Sequence, residues 1–564
     1  MATTALNSWR ETSSKRLCGI RATPIPAPRE DFSVPTVPPR PLRCRLTVCA
    51  VALALLCPAL LPPARAQNQL PALGDPSGED FSIATEHKLG AEIMREIRAD
   101  PDYLDDPVLL EYLQSIWQPL VAQARVRGNL SADLDQRLAW EPFLVRDKEV
   151  NAFALPGGYV GVNLGLIALT ATRDELASVL AHEMSHITQR HIARSIGNAK
   201  RQSLLSLAAM LAGLVVASKA GSSGADTANA AIVGSQAMAA QGQLNFSRDM
   251  EREADRVGWQ VMTGAGFAPG GMAAMFEKME QSSRLNDFGG YPYLRSHPLT
   301  SERIGEARAR MGTAGAAQAA SGGAFEHITA QARARALMDS RFDALRRWQA
   351  LDGDRVATTP GDRLLNLCAS ALASTLLRDW ARADAAIAAA REITRGAPLA
   401  SGARADRAVV LLNVQSLLAR GDVTRASAAL EPFKADGSRP VLLLATQAAL
   451  AAAPASAPDN AALKQRAEQL QTWVAIHGSD ALAWTALGQV EERLGRPLRA
   501  VRADAESRVA LGDLTGAVDR LQAGQRRARS GGAVDFIDAS VIDARLRDVE
   551  AQLRQQKADE KALR

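Results

Sequence analysis

The chain has 564 residues, 47% hydrophobic and 23% charged, which excludes a disordered polypeptide and exceeds what one hydrophobic core can organise. The net charge of +5 misleads: residues 1–66 hold nine Lys/Arg against three Asp/Glu, so they carry +6 and leave −1 for the rest. A near-neutral remainder gives no electrostatic case for nucleic acid. Only 4% of residues are aromatic and alanine is abundant, which predicts a mainly α-helical protein.

Residues 1–66 read as an export leader. Arg43 and Arg45 form a basic start, 46–61 is the apolar stretch, and Ala64-Arg65-Ala66 fits a small-x-small cleavage site, with Gln67 as the new N-terminus. The competing reading is a membrane anchor, but the stretch falls short of the roughly 20 residues a span needs. The Pro-rich residues before Arg43 are foreign to such a leader, so a start downstream of Met1, for example at Val37, is expected. Cys57 lies between bulky Leu56 and Pro58, which argues against lipid attachment. Cys18, Cys44, Cys49 and Cys57 all fall in the leader. Only Cys368 remains, so the mature chain forms no internal disulfide.

After a polar stretch at 67–80, residues 86–97 and 107–124 have helical apolar spacing. Residues 143–146 and 152–155 read as short strands. Pro156-Gly157-Gly158 breaks the second, and a strand resumes at 159–162. Arg173-Asp174-Glu175 opens a helix expected to run to about Ile196. Residues 203–218 are nearly all apolar, and Gly/Ser/Ala-rich sequence follows to about Gln243. This segment reads as a buried helix or lid, or as a hairpin touching a membrane; it is too short to span one. Residues 312–324 have linker composition.

Beyond the linker the pattern changes to helical pairs. Trp484-x2-Leu487-Gly488 with Ala500 has tetratricopeptide spacing. Turn-plus-alanine signals recur at Asp379…Ala383, Gly421-Asp422…Ala426 and Gly512-Asp513…Ala517, with a weaker one at Ala467. Such pairs stack into a solenoid with a concave face for protein partners. The competing reading is an irregular helical bundle.

The strongest chemical feature is His182-Glu183-Met184-Ser185-His186. Residues i and i+4 share a helix face, so both imidazoles can reach a single Zn2+ at about 2.1 Å. Glu183 stands where its carboxylate can take a proton from an activated water. A hydrolytic zinc site needs a third protein ligand and an open position. Glu251, in Glu251-Arg252-Glu253-Ala254-Asp255, is the best candidate. Asp255 shares its face and can hold the free ring nitrogen of a ligand histidine. Glu253 points about 200° away and is expected to be solvated or salt-bridged. His297 precedes Pro298 and therefore sits on extended backbone. Three readings stand for it: an oxyanion stabiliser, an occupant of the open metal position that holds an enzyme latent, or a loop residue without a role. His191, five residues past His186, is expected to be structural, as are His87, His327 and His477.

The set Asn151-Ala152-Phe153-Ala154-Leu155-Pro156-Gly157-Gly158, His182 to His186 with Arg190-His191, Glu251-x2-Ala254-Asp255 and Ser296-His297-Pro298 resembles the gluzincin peptidases of the HtpX and CAAX-prenyl-protease type. Within them it is most similar to the soluble periplasmic branch with a tetratricopeptide tail. The resemblance runs from about Glu86 to the C-terminus and is most specific over 148–305. It implies a zincin-like domain with a small β-sheet, with His182, His186 and Glu251 as ligands of a single zinc ion. It also implies Glu183 as catalytic base and a His-Pro loop over the site. One departure matters: membrane-spanning relatives carry long apolar segments, and no segment after the leader is long enough, which favours the soluble branch. The expected organisation is a leader (1–66), a zinc metallopeptidase domain (67–311), a linker (312–324), a tetratricopeptide-like solenoid (325–555) and a tail (556–564).

The expected activity is zinc-dependent endoproteolysis in the periplasm, for protein quality control. The strand from Asn151 to Leu155 is a plausible edge for substrate binding by β-augmentation, with Asn151, Ala152 and Phe153 as the candidate contacts. By resemblance, the clients are unfolded or misassembled outer-membrane proteins, and the partner of the tail is the outer-membrane β-barrel assembly machinery. Two other readings compete: a chaperone or scaffold with a latent zinc site, and a membrane-surface protease anchored through 203–218. The intact Glu183 argues against a dead site, because a purely structural zinc needs no such carboxylate.

Overall fold

Four strands, β1 (Tyr103–Leu104), β2 (Glu141–Val145), β3 (Ala152–Leu155) and β4 (Tyr159–Asn163), form a sheet in the order β1-β2-β4-β3. β2 and β4 are parallel; β1 and β3 add at the two edges as antiparallel strands. The computed structural model describes residues 81–197, 248–285, 292–316, 324–353, 356–397, 399–529 and 536–563. The leader with its cysteines and the apolar run 203–218 lie outside them, as do 317–323 of the expected linker.

Both faces of the sheet are covered, which is why β4 is buried along its whole length. Phe143 and Val145 point to one face, where Leu89, Ile93, Met94 and Ile97 of the helix Ile83–Ala99 pack. Leu144, Val160 and Val162 point to the other. There they meet the helix Pro107–Val126 through Leu113, Ile116, Trp117 and Leu120, and the helix Arg173–Thr188 through Leu176, Leu180 and Met184. The period-two alternation of β2 thus decides which helix each residue meets. The turn after β3 holds Gly157 and Gly158 at φ 83° and 89°, which only glycine adopts without strain.

The helices start where the sequence supplies caps. Ser82, Asp106 and Thr172 each accept the backbone N–H three residues on, and Pro107 takes the first position of its helix. One expectation is corrected. The helix from Arg173 does not continue to Ile196; it ends at Thr188, and a second helix begins at His191. Arg190 breaks it with φ 53°, and its guanidinium bonds the Phe81 carbonyl at 2.7 Å. The helices Arg248–Gly264 and Gly270–Leu285 then pack on the His182 helix.

The remainder is helical. The helix Ser301–Ala316 is kinked at Gly312 (φ 60°), and Ala324 opens the next, Ala324–Leu337. Antiparallel helices follow, from Pro360–Leu376 and Trp380–Gly396 to Leu514–Arg529 and Phe536–Leu563. Asp379, Asp422 and Asp513 each accept a backbone N–H at a helix start, and Ala383, Ala426 and Ala517, four residues on, are fully buried. Gly488 faces Ala500 and Ala503 where the helices Ala481–Arg493 and Pro497–Ala510 pack, with room for a Cβ in ordinary contact at 3.4 Å from the Ala500 carbonyl. The architecture is mainly α with a small sheet, as expected. Among the described residues no helix is long and apolar enough to cross a membrane.

Candidate metal centre

His182, Glu183 and His186 stand on the helix Arg173–Thr188, and all three are buried. The helix Arg248–Gly264 crosses it closely: a side chain at Gly258 would meet the Ala181 carbonyl at 3.0 Å. That approach delivers Glu251 and Asp255, one turn apart, to the same histidines. His297 arrives from the loop after the short helix Pro292–Ser296, where its N–H bonds the Tyr293 carbonyl at 2.9 Å and its ring lies 4.7 Å from that of Tyr293. Among the described residues, His182, His186, Glu251 and His297 form one group able to hold a metal ion.

Tetrahedral zinc, with bonds of about 2.0–2.1 Å, spaces its donors by about 3.4 Å. Here the His182 and His186 Nε2 atoms are 3.0 Å apart, and His297 Nδ1 is 3.3 Å from His182 Nε2. Glu251 Oε1 lies 3.0 Å from His297 Nδ1 and 3.5 Å from His186 Nε2. His182 Nδ1 lies 2.9 Å from Asp255 Oδ1. His191 Nε2–H donates to Glu253 at 3.1 Å, so its Nδ1 accepts from His186 Nδ1 at 2.9 Å. The two Nε2 atoms of His182 and His186 face each other across 3.0 Å. A cation between them would be ligated by both, and with Glu251 alongside, these residues fit a zinc ion.

Without a cation, a proton takes that role. Burial works against charging His182, but hydrogen bonds from Asp255 and Glu251 outweigh it and raise its pKa to about 10. Burial and the neighbouring His182 charge push His186 well below its ordinary value. Burial would raise the Glu251 carboxyl, yet His297 and His182 hold it far below the usual carboxylate range. Glu183 goes the other way. Burial raises its carboxyl, offset in part by His297, His182 and the Ala154 N–H, which donates to Oε2 at 3.0 Å.

That N–H shows how β3 is turned. Phe153 and Leu155 lie opposite Gly161 and Tyr159, and Asn151 accepts from the Asn163 N–H at 3.1 Å. Ala152 and Ala154 therefore aim their backbone groups away from β4, beside Glu183. Of the three strand residues expected at a substrate site, Ala152 faces this side, while Asn151 and Phe153 pair with β4. Ala154, inside the expected edge strand but not among those three, faces the same side as Ala152. Glu253 is salt-bridged to Arg194 at 3.0 Å. His327 and His477 lie away from this group, and His87 is exposed.

Arg303 was not singled out from the sequence. It is buried, with Nε and Nη2 on the two Asp255 oxygens at 2.7 and 2.8 Å and Nη1 on Glu251 Oε2 at 2.9 Å. Its only sequence signal is a position six residues past His297.

Residues 111–311 match the profile of peptidase family M48. A protein of Vibrio cholerae provisionally named a beta-barrel assembly-enhancing protease is 36% identical over 273 residues, 48% of this chain and 52% of its own length. The beta-barrel assembly-enhancing protease of Escherichia coli is 32% identical over 265 residues, 47% of this chain and 50% of its own. The mitochondrial metalloendopeptidase OMA1 of Saccharomyces cerevisiae is 31% identical over 197 residues, 34% of this chain and 53% of its own. The chain spans about half the length of these curated relatives.

Proposed function

We propose, from the premise that residues 111–311 are a peptidase family M48 domain, that this chain is a zinc-dependent endopeptidase acting on unfolded or misassembled proteins. The observation that carries the reading is the convergence of His182, His186 and Glu251 on one point with Glu183 beside it. These three residues hold the metal, which supplies a Lewis acid to activate water and polarise a carbonyl. Glu183 takes the proton of the attacking water and hands it to the leaving amine. Its carboxylate is fully buried beside the ligand histidines, within reach of both proton transfers. Asp255, 2.9 Å from His182 Nδ1, orients that ring. The outward backbone groups of Ala152 and Ala154 receive an extended peptide, with Asn151 and Phe153 fixing the strand. Such binding reads backbone rather than sequence, which suits unfolded clients.

His297 completes the donor set, and every group in it is buried. On this reading His297 holds the site latent, and movement of the His297-Pro298 loop admits substrate. The same observation supports a second reading, a chaperone or scaffold whose zinc site stays closed. The finer assignments follow the resemblance and the names of the relatives. The leader exports the chain to the periplasm. The helices from Phe325 onward form a tetratricopeptide-like module that recruits stalled outer-membrane proteins and the β-barrel assembly machinery.

Casein cleavage by residues 67–564, with zinc measured on the same sample, tests the enzyme. Glu183→Gln should keep the zinc and lower cleavage by about 10^2- to 10^4-fold, the usual worth of a general base. Zinc without cleavage in the unaltered chain favours the scaffold. Neither zinc nor cleavage sinks the ligand assignment.

A further inference from the structure

Arg303 opens the helix that follows the His297 loop, with its N–H on Thr300 Oγ1 at 3.3 Å. Besides its bonds to Asp255 and Glu251, Nη1 donates to the Pro298 carbonyl at 2.8 Å. The guanidinium lies over the Phe276 ring, 5.2 Å from its centroid. One rigid fork therefore reaches three of the four donors: Glu251 directly, His182 through Asp255, and His297 through the next residue's carbonyl. His186 alone is held separately, by His191. Charge agrees with this. With Asp255, Glu251 and Glu183 ionised, a divalent cation and Arg303 bring the buried cluster to neutrality, and losing Arg303 leaves an uncompensated negative charge.

We propose that Arg303 is a positioning residue that ties the His297-Pro298 loop to Glu251 and Asp255, so that loop position and metal retention are coupled. The proposal rests on the metal-site reading above. A lysine keeps the charge but cannot reproduce the bidentate grip on Asp255 together with the bonds to Glu251 and Pro298.

The test is the rate of Co2+ loss from the loaded chain (67–564) into excess chelator, followed by the visible absorption of the bound ion. Arg303→Gln should shed metal about 10- to 100-fold faster than the unaltered chain, the usual cost of losing a group behind the ligands. Arg303→Lys should also be fast, and it carries the test if the Gln variant does not fold. His297→Ala should be fast as well, and the double variant no faster than the faster single one, because both act through one loop. Wild-type rates in Arg303→Lys, or effects of Arg303 and His297 that multiply, overturn the coupling while leaving the peptidase reading intact. Failure of the unaltered chain to take up Co2+ removes the metal site and this inference together.

Discussion

At the residue scale, His297 decides between two chemistries with opposite signs. As a metal ligand it blocks substrate, and deleting it should raise activity. As an oxyanion donor it stabilises the transition state, and deleting it should lower kcat by about 10^2- to 10^3-fold. Its Nδ1 lies 3.3 Å from His182 Nε2 and 3.0 Å from Glu251 Oε1, inside the donor set, so the first sign is expected. If the closed loop is populated 90–99% of the time, His297→Ala should raise casein cleavage about 10- to 100-fold. A fall of that size would move His297 from lock to catalyst. The neighbouring residues differ in how far the sequence revealed them. His182, His186, Glu251 and Asp255 could be read in advance, because helical periodicity alone places i and i+4 on one face. His191 could not: five residues past His186 it leaves the face of a straight helix, and only the left-handed turn at Arg190 brings it back to 2.9 Å from His186. Arg303 was equally hidden, since it reaches Asp255 across 48 residues from another helix.

At the scale of elements, the edge strand is positioned by its turn, and the turn by a single glycine. A Cβ on Gly90 would stand 2.0 Å from the Pro156 carbonyl and 2.9 Å from Gly157 Cα, against backbone that cannot swing aside. Gly90→Ala should therefore push the Pro156–Gly158 turn off the helix Ile83–Ala99 and cost about 1–3 kcal/mol, as overpacking does. Because the turn ends β3, the displacement should reach Ala154 and its bond to Glu183. Peptide KM should rise while zinc content stays constant. Urea unfolding with peptide kinetics reads both, and an unchanged KM would detach the turn from substrate binding. The strand-turn-strand was visible in advance because Pro-Gly-Gly between two apolar runs leaves the chain few choices. The helical pairs were visible through their caps, since an Asp at a helix start and a small residue one turn on mark where a helix begins and where a neighbour presses. Gly90 gave no such signal, since its neighbour lies more than sixty residues away.

At the scale of the whole molecule, three arginines from the helical array grip the acidic start of the helix Pro107–Val126. Arg333 holds Asp106, Arg407 holds Glu111 and Arg439 holds Asp105, with contacts of 2.7, 2.7 and 2.6 Å. Arg439 also holds Asp480 and Arg407 also holds Asp436, so single guanidinium groups join the helix Pro107–Val126 to the array. These pairs span hundreds of residues, and sequence periodicity carries no trace of them. His327 sits in the same seam. Its Nε2–H donates to the Thr170 carbonyl at 2.8 Å, and its Nδ1 lies 2.6 Å from the Tyr112 hydroxyl, which can donate to that nitrogen in the neutral ring. Burial lowers its pKa, offset only in part by the Thr170 carbonyl. The unfolded chain therefore takes up a proton near pH 6.5 that the folded chain refuses. The stability due to the neutral ring is complete above that pH. It is lost as pH falls toward the lower folded value, by up to about 1.4 kcal/mol per pH unit. Urea unfolding of the wild type should thus weaken between about pH 7 and pH 5 by more than that of His327→Gln, which keeps an amide donor for Thr170 and cannot titrate. Parallel curves for the two proteins would mean that His327 charges in place, and that this seam is open to water at Tyr112.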